Sequence, residues 1–281
     1  MLPEKDISLD VIKKRNVGSG RALQGYALMM MVRPAGVYLA WLALKLGLTP
    51  RQVTFASFVF SWIIVGVAAF GGPHGPLAAL IMVLFWEAVD VTDGSMARAI
   101  KKRDNFGGFL DYAAGVVLIA FLPFALGIGV FLWPEGSIKD AAASFGLVIS
   151  PSPALFLAAG AGISVISLLM RLVNRVLYVR FGDSFSQWDE GDRISKVSLR
   201  EMINLLVRNL ETTGGMQALV FLLAALTGVL EIALGGYLLF YVALLIMFMR
   251  QTYQTYQGCE DYFVVEVRRK EEGKQTQDNQ P

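Results

Sequence analysis

Pro76-Leu-Ala-Ala-Leu-Ile-Met-Val-Leu-Phe-Trp-Glu87-Ala-Val-Asp90-Val-Thr-Asp93-Gly94-Ser-Met-Ala97-Arg98 runs for eleven residues without a charge and then admits three carboxylates. Continued to about Ile100, the stretch is long enough for a helix to cross a hydrocarbon core, which takes roughly 20 residues. The same helix then holds Glu87, Asp90 and Asp93 in or near the bilayer. Carboxylates there are costly, and a functional reading is the default.

Working outward, five more apolar runs are of similar kind: about Gln52 to Gly71, Phe109 to Trp133, Ser152 to Val173, Met216 to Leu234 and Gly236 to Met249, the last extended to about Tyr256. The chain is 55% hydrophobic and only 17% charged, where soluble domains carry nearer a quarter charged residues. These features predict an all-α polytopic membrane protein with six transmembrane helices. Basic residues fix the expected orientation. With six spans, all of the 25 Lys and Arg except Lys139 fall on the side of the two termini. The positive-inside rule makes that side cytoplasmic. The net charge of +2 is unremarkable, and nothing supports nucleic-acid binding.

Three regions are expected: an N-terminal cytoplasmic segment, residues 1–30; a six-helix membrane domain, residues 31–257; and a charged cytoplasmic tail, residues 258–281, disordered from Gly273 on. Arg33 and Pro34 halt the first apolar run. Ala35 to Gly47 then reads as an amphipathic helix lying in the membrane interface, with Tyr38 and Trp41 at headgroup depth. Thr49-Pro50 suits the start of the first span, threonine as cap and proline in the first turn. Pro134 to Ser152 is the largest external loop, and Arg180 to Arg200 is the longest internal connection. Nothing resembles a cleaved signal. The single cysteine, Cys259, excludes an intramolecular disulfide, and the single histidine, His74, sits in the short Gly71 to Gly75 loop.

Asp90, Asp93, Gly94 and Ala97 share a helix stripe about 100° wide. It presents carboxylates beside two residues with almost no side chain. Carboxylate oxygens are the hard ligands that Mg²⁺ or Mn²⁺ takes together with substrate phosphates. Arg98 at the helix end can pair with phosphate oxygens. If the turn to the next helix centres near Lys102, Asp93 and Asp111 each lie nine residues from it. That is about 13 Å at 1.5 Å per residue, so the two carboxylates meet at equal depth. Lys101, Lys102 and Arg103 add positive potential at the mouth.

This segment resembles the signature of the CDP-alcohol phosphotransferases, D-x2-D-G-x2-A-R-x7–8-G-x3-D-x3-D across the second and third membrane helices. Asp90, Asp93, Gly94, Ala97, Arg98, Gly107 and Asp111 match it. The resemblance covers roughly Met31 to Tyr256 and includes a Leu48-Thr49-Pro50 step, followed by Arg51 where the family usually has asparagine. It implies transfer of a substituted phosphate from a CDP-linked donor to an acceptor hydroxyl, with release of CMP, in synthesis of a phospholipid or lipid-like phosphodiester. It implies Mg²⁺ or Mn²⁺ on Asp90, Asp93 and Asp111, and donor contacts at Gly94, Ala97, Arg98 and Gly107. The acceptor is a lipid or a small polar molecule, the site faces the cytoplasm, and a homodimer rests on the resemblance alone.

The motif's last aspartate, thought to be the general base, falls at Gly115. Glu87, one turn deeper than Asp90, is either a substitute base or a buried acid supporting the site. An acceptor that is already acidic needs no base. Arg171, Arg175 and Arg208 read as interfacial anchors, with an anionic-acceptor pocket as the other reading. The alternative to an enzyme is a non-catalytic relative that binds metal, nucleotide or lipid as a scaffold or regulatory subunit.

Overall fold

The structure is a computed structural model that describes residues 7–17, 27–101, 104–134, 151–181, 203, 206–207, 209–212 and 215–278. The expectations for the Pro134 to Ser152 loop and for the Arg180 to Arg200 connection fall largely outside these residues, as do Lys102 and Arg103. The described residues form helices α1 (Leu9–Val17), α2 (Ala27–Lys45), α3 (Pro50–Phe70), α4 (Gly75–Ile100), α5 (Asn105–Leu132), α6 (Pro153–Phe181), α7 (Gln217–Leu226) and α8 (Leu230–Asp278), with no strand among them.

Helices α3, α4 and α5, with Pro153–Val176 of α6 and Leu230–Gln254 of α8, are long and apolar enough to cross a membrane. The all-α polytopic membrane fold is therefore what the chain adopts. Large apolar side chains such as Trp62, Ile63, Phe85, Val165 and Ile246 are exposed on the outside, a surface suited to lipid. The core holds Ile64, Leu80, Trp86, Leu118, Leu126, Ile163, Phe221 and Tyr241. Glycines let helices close up: a Cβ added at Gly127 of α5 would stand 2.8 Å from the Phe156 carbonyl oxygen of α6.

Local chemistry sets the helix ends that matter for the site. Thr49 caps α3 as expected. Its hydroxyl accepts from the Gln52 N–H at 3.3 Å, while the Gln52 side chain accepts from the Thr49 N–H at 2.9 Å. This reciprocal box, with Pro50 in the first turn, fixes where α3 begins. His74 lies at the turn before α4, as read. Helix α4 stops at Lys101, which takes the left-handed conformation (φ 54°), and Asp104 caps α5 by accepting from the Phe106 N–H at 3.1 Å.

The expected fifth span, Met216 to Leu234, takes another form. Helix α7 has ten residues, about 15 Å of rise, and ends at Thr227, after which Gly228 turns the chain with φ 69°. The left-handed turn costs glycine little, and it divides a continuously apolar run. Helix α7 lies antiparallel to α8: Gln217 bonds Tyr241 at 3.2 Å and Phe221 stacks on Tyr237 at 4.6 Å. Helix α8 runs in the same sense as α6, since Gly162 approaches Leu238 and Arg171 lies within electrostatic reach of Tyr241. Helix α7 thus runs opposite to α6 and α8, and alone it does not reach spanning length.

Two further readings change. Helix α2 starts at Ala27 and continues through Pro34. An interior proline costs about 3 kcal/mol, and packing on α4 overrides it: a Cβ on Gly36 would stand 2.7 Å from Val91, and Ala40, Ala43 and Leu44 cluster with Met96 and Ala99. Helix α1 docks on the same cluster: Ile12 is fully buried in it and Arg15 donates to the Ala99 carbonyl. Helix α8 continues without a break to Asp278, through the tail expected to be disordered from Gly273.

Candidate active site

The motif lies on the last three turns of α4 and the first three of α5. Helix α3 packs on both, whereas α4 and α5 touch each other far less. Asp90 and Asp111 come together: their carboxyl groups are within hydrogen-bonding distance across the gap, with Asp93 and Glu87 within electrostatic reach of Asp90. Asp111 is also within electrostatic reach of Asp93, the residue that equal depth matches to it. A step of three residues rotates Asp93 by about 60° from Asp90, and that rotation turns Asp93 onto α3. There the Thr54 hydroxyl donates to its Oδ2 at 2.5 Å, while its Oδ1 accepts from the Gly94 N–H at 2.5 Å.

The remaining motif residues distribute around this centre. Arg98 is exposed, folds back over Gly94, and reaches the Ser95 hydroxyl at 3.4 Å. A Cβ on Gly94 would stand 3.3 Å from the Arg98 guanidinium, so the missing side chain accommodates the arginine as well as any ligand. Ala97 is half-buried. Gly107 is buried against the Asp104 side chain. Asp111 is exposed, and a Cβ on Gly108 or Gly115 would meet nothing within 4 Å. The α5 wall therefore opens onto free space. Glu87 is buried, 1% exposed, beneath Asp90.

Among the described residues, no three acidic, histidine or cysteine side chains form a ready cage for a metal ion. The donor set nevertheless fits a hard divalent cation. Mg²⁺ is commonly held by one or two carboxylates, with phosphates and water completing its shell. The Asp90–Asp111 pair offers that, with Asp93 oriented beside it. Of the basic residues near the end of α6, Arg171 is half-buried with its Nε enclosed in the bundle, and Arg175 is exposed. The side chain of Arg208 lies outside the described residues.

Sequence reading missed Thr54. The signal was a hydroxyl one turn after Pro50 on an otherwise apolar span, but nothing in a single sequence says which helix it faces.

The sequence model of the CDP-alcohol phosphatidyltransferases matches residues 47–251, from just before the α3 cap into α8. No curated protein matches the chain.

Proposed function

The chain belongs to the CDP-alcohol phosphatidyltransferase family, which transfers phosphate from a CDP-alcohol to an acceptor in lipid synthesis, and we propose that it catalyses such a transfer at the α4–α5 carboxylates with release of CMP. The observation that carries this reading is the meeting of Asp90 and Asp111 beside Asp93, with Arg98 at the exposed end of α4. Asp90, Asp93 and Asp111 would hold Mg²⁺ or Mn²⁺, which would neutralise the diphosphate and the charge that develops on the departing CMP. The Arg98 guanidinium, exposed beside Gly94, would grip the donor's phosphate oxygens through paired N–H groups. Gly94 and Ala97 keep that wall of α4 shallow enough for the cytidine. Glu87 stands behind Asp90 as the nearest further acid in the span.

The site would open to the cytoplasm, where soluble nucleotides are, in line with the distribution of the basic residues. The acceptor is a lipid or a small polar molecule, and two copies of the chain would assemble as a homodimer.

A non-catalytic relative remains the second reading, favoured by Gly115, where no side chain can accept a proton. The test is CMP release from the purified full-length protein with Mg²⁺ and a panel of CDP-linked donors. Release from at least one donor is expected. Cytidine-nucleotide binding without CMP release from any donor or acceptor would establish the second reading.

A further inference from the structure

The geometry points to Thr54 as a positioning residue for Asp93, and through it for the divalent cation; this rests on the carboxylates being a metal site. A threonine inside a helix ordinarily gives its hydroxyl proton to the carbonyl four residues back. Thr54 has that option, the Pro50 carbonyl at 3.0 Å, and it also has Asp93 Oδ2 at 2.5 Å. One hydroxyl carries one proton, and the carboxylate is the stronger acceptor and the nearer one. The proton therefore goes to Asp93.

Both residues are enclosed, Thr54 3% and Asp93 7% exposed, so water does not readily replace the bond. Where Thr54 stands is itself fixed. It lies one turn into α3, and the reciprocal Thr49–Gln52 cap together with Pro50 leaves the first turn of α3 little freedom. The Gly94 N–H meanwhile holds Oδ1. Each oxygen of Asp93 thus receives one protein hydrogen bond and keeps a lone pair for a cation. The carboxylate plane is set by two different helices. Loss of the Thr54 bond leaves Oδ2 without its partner from α3 and lets the carboxylate rotate about χ2, whose preference is broad and weak.

The experiment is Mn²⁺ binding to purified full-length protein for the wild type, Thr54→Val, Thr54→Ala and Thr54→Ser, with Asp90→Asn and Asp111→Asn measured alongside. Hydrogen-bond partners of metal ligands typically govern about 10- to 100-fold in affinity. Thr54→Val and Thr54→Ala are expected to weaken Mn²⁺ binding by about tenfold, at the lower end of that range. Thr54→Ser should stay close to the wild type. In CMP release, the Mg²⁺ dependence of Thr54→Val should move to higher concentration while the donor KM at saturating Mg²⁺ holds, a split that loosened packing would not produce. Wild-type affinity in the hydroxyl-free variants, or a Thr54→Ser as weak as they are, overturns the role of Thr54. Unchanged Mn²⁺ affinity in Asp90→Asn and Asp111→Asn would instead overturn the metal site on which it rests.

Discussion

Asp90 on α4 and Asp111 on α5 bring their carboxyl groups within hydrogen-bonding distance. Two carboxylates held so close repel unless a cation or a proton lies between them. Replacing Asp90, Asp93 or Asp111 by Asn keeps the shape and removes one charge. Each variant is expected to bind Mn²⁺ at least about tenfold more weakly, by analogy with the loss of even an indirect ligand contact. Isothermal titration with Mn²⁺ checks this, and undiminished affinity in all three would remove the site.

Gly115 lies one turn beyond Asp111, and a Cβ there meets nothing within 4 Å. Crowding, the obvious objection to a side chain at that position, therefore falls away. With Mg²⁺ present to offset repulsion from the neighbouring carboxylates, Gly115→Asp should fold. If an ordinary alcohol is the acceptor, its carboxylate should raise CMP release at saturating Mg²⁺, up to the roughly 10² to 10⁴ that general-base assistance supplies. An active wild type with a folded, inactive variant would show that substrate occupies this space.

Much of this arrangement was legible in the chain's letters, and the limits have physical causes. Apolar run length located α3, α4 and α5, and the Thr49-Pro50 signal located the start of α3 to the residue. Motif spacing placed Asp90 and Asp111 in the same region. Periodicity along one helix does not say which neighbour a side chain faces, so the pairing of Asp90 with Asp111 and the contact of Asp93 with Thr54 needed three packed helices to be seen. Pro34 and Gly228 mark a further limit. The proline has a strong breaking preference that packing on α4 overrides, while a single glycine in an apolar run gave no warning of the break between α7 and α8.

Orientation can be read with single cysteines at positions 136 and 191 in a Cys259-free background. In intact cells an impermeant maleimide should label position 136 and not position 191. Equal labelling of both would contradict an even number of crossings with both termini in the cytoplasm.

Gly160 on α6 packs against the Pro123 carbonyl of α5, and Gly127 against the Phe156 carbonyl on the reciprocal side. Gly160→Val forces these backbones apart and should cost about 1–3 kcal/mol, the usual range for overpacking. Thermal melting of the purified protein should show the loss. Gly66→Ala, where an added Cβ has no neighbour within 4 Å, should leave the melting temperature unchanged or raise it, since alanine is the better helix former. Equal melting of the two variants would mean that the α5–α6 approach carries no stability.

The break at Gly228 also bears on how the protein enters its membrane. A segment leaves the insertion machinery for lipid only if it is apolar and long enough to satisfy its own backbone across the hydrocarbon. Helix α7, ten residues long, has half the needed length, and the turn after it carries peptide groups that lipid cannot solvate. Its partner α8 supplies Tyr241, whose hydroxyl accepts from the Gln217 amide and donates to the Glu211 carbonyl at 2.8 Å. Helix α7 is therefore expected to enter the membrane together with α8, as one hairpin, rather than alone.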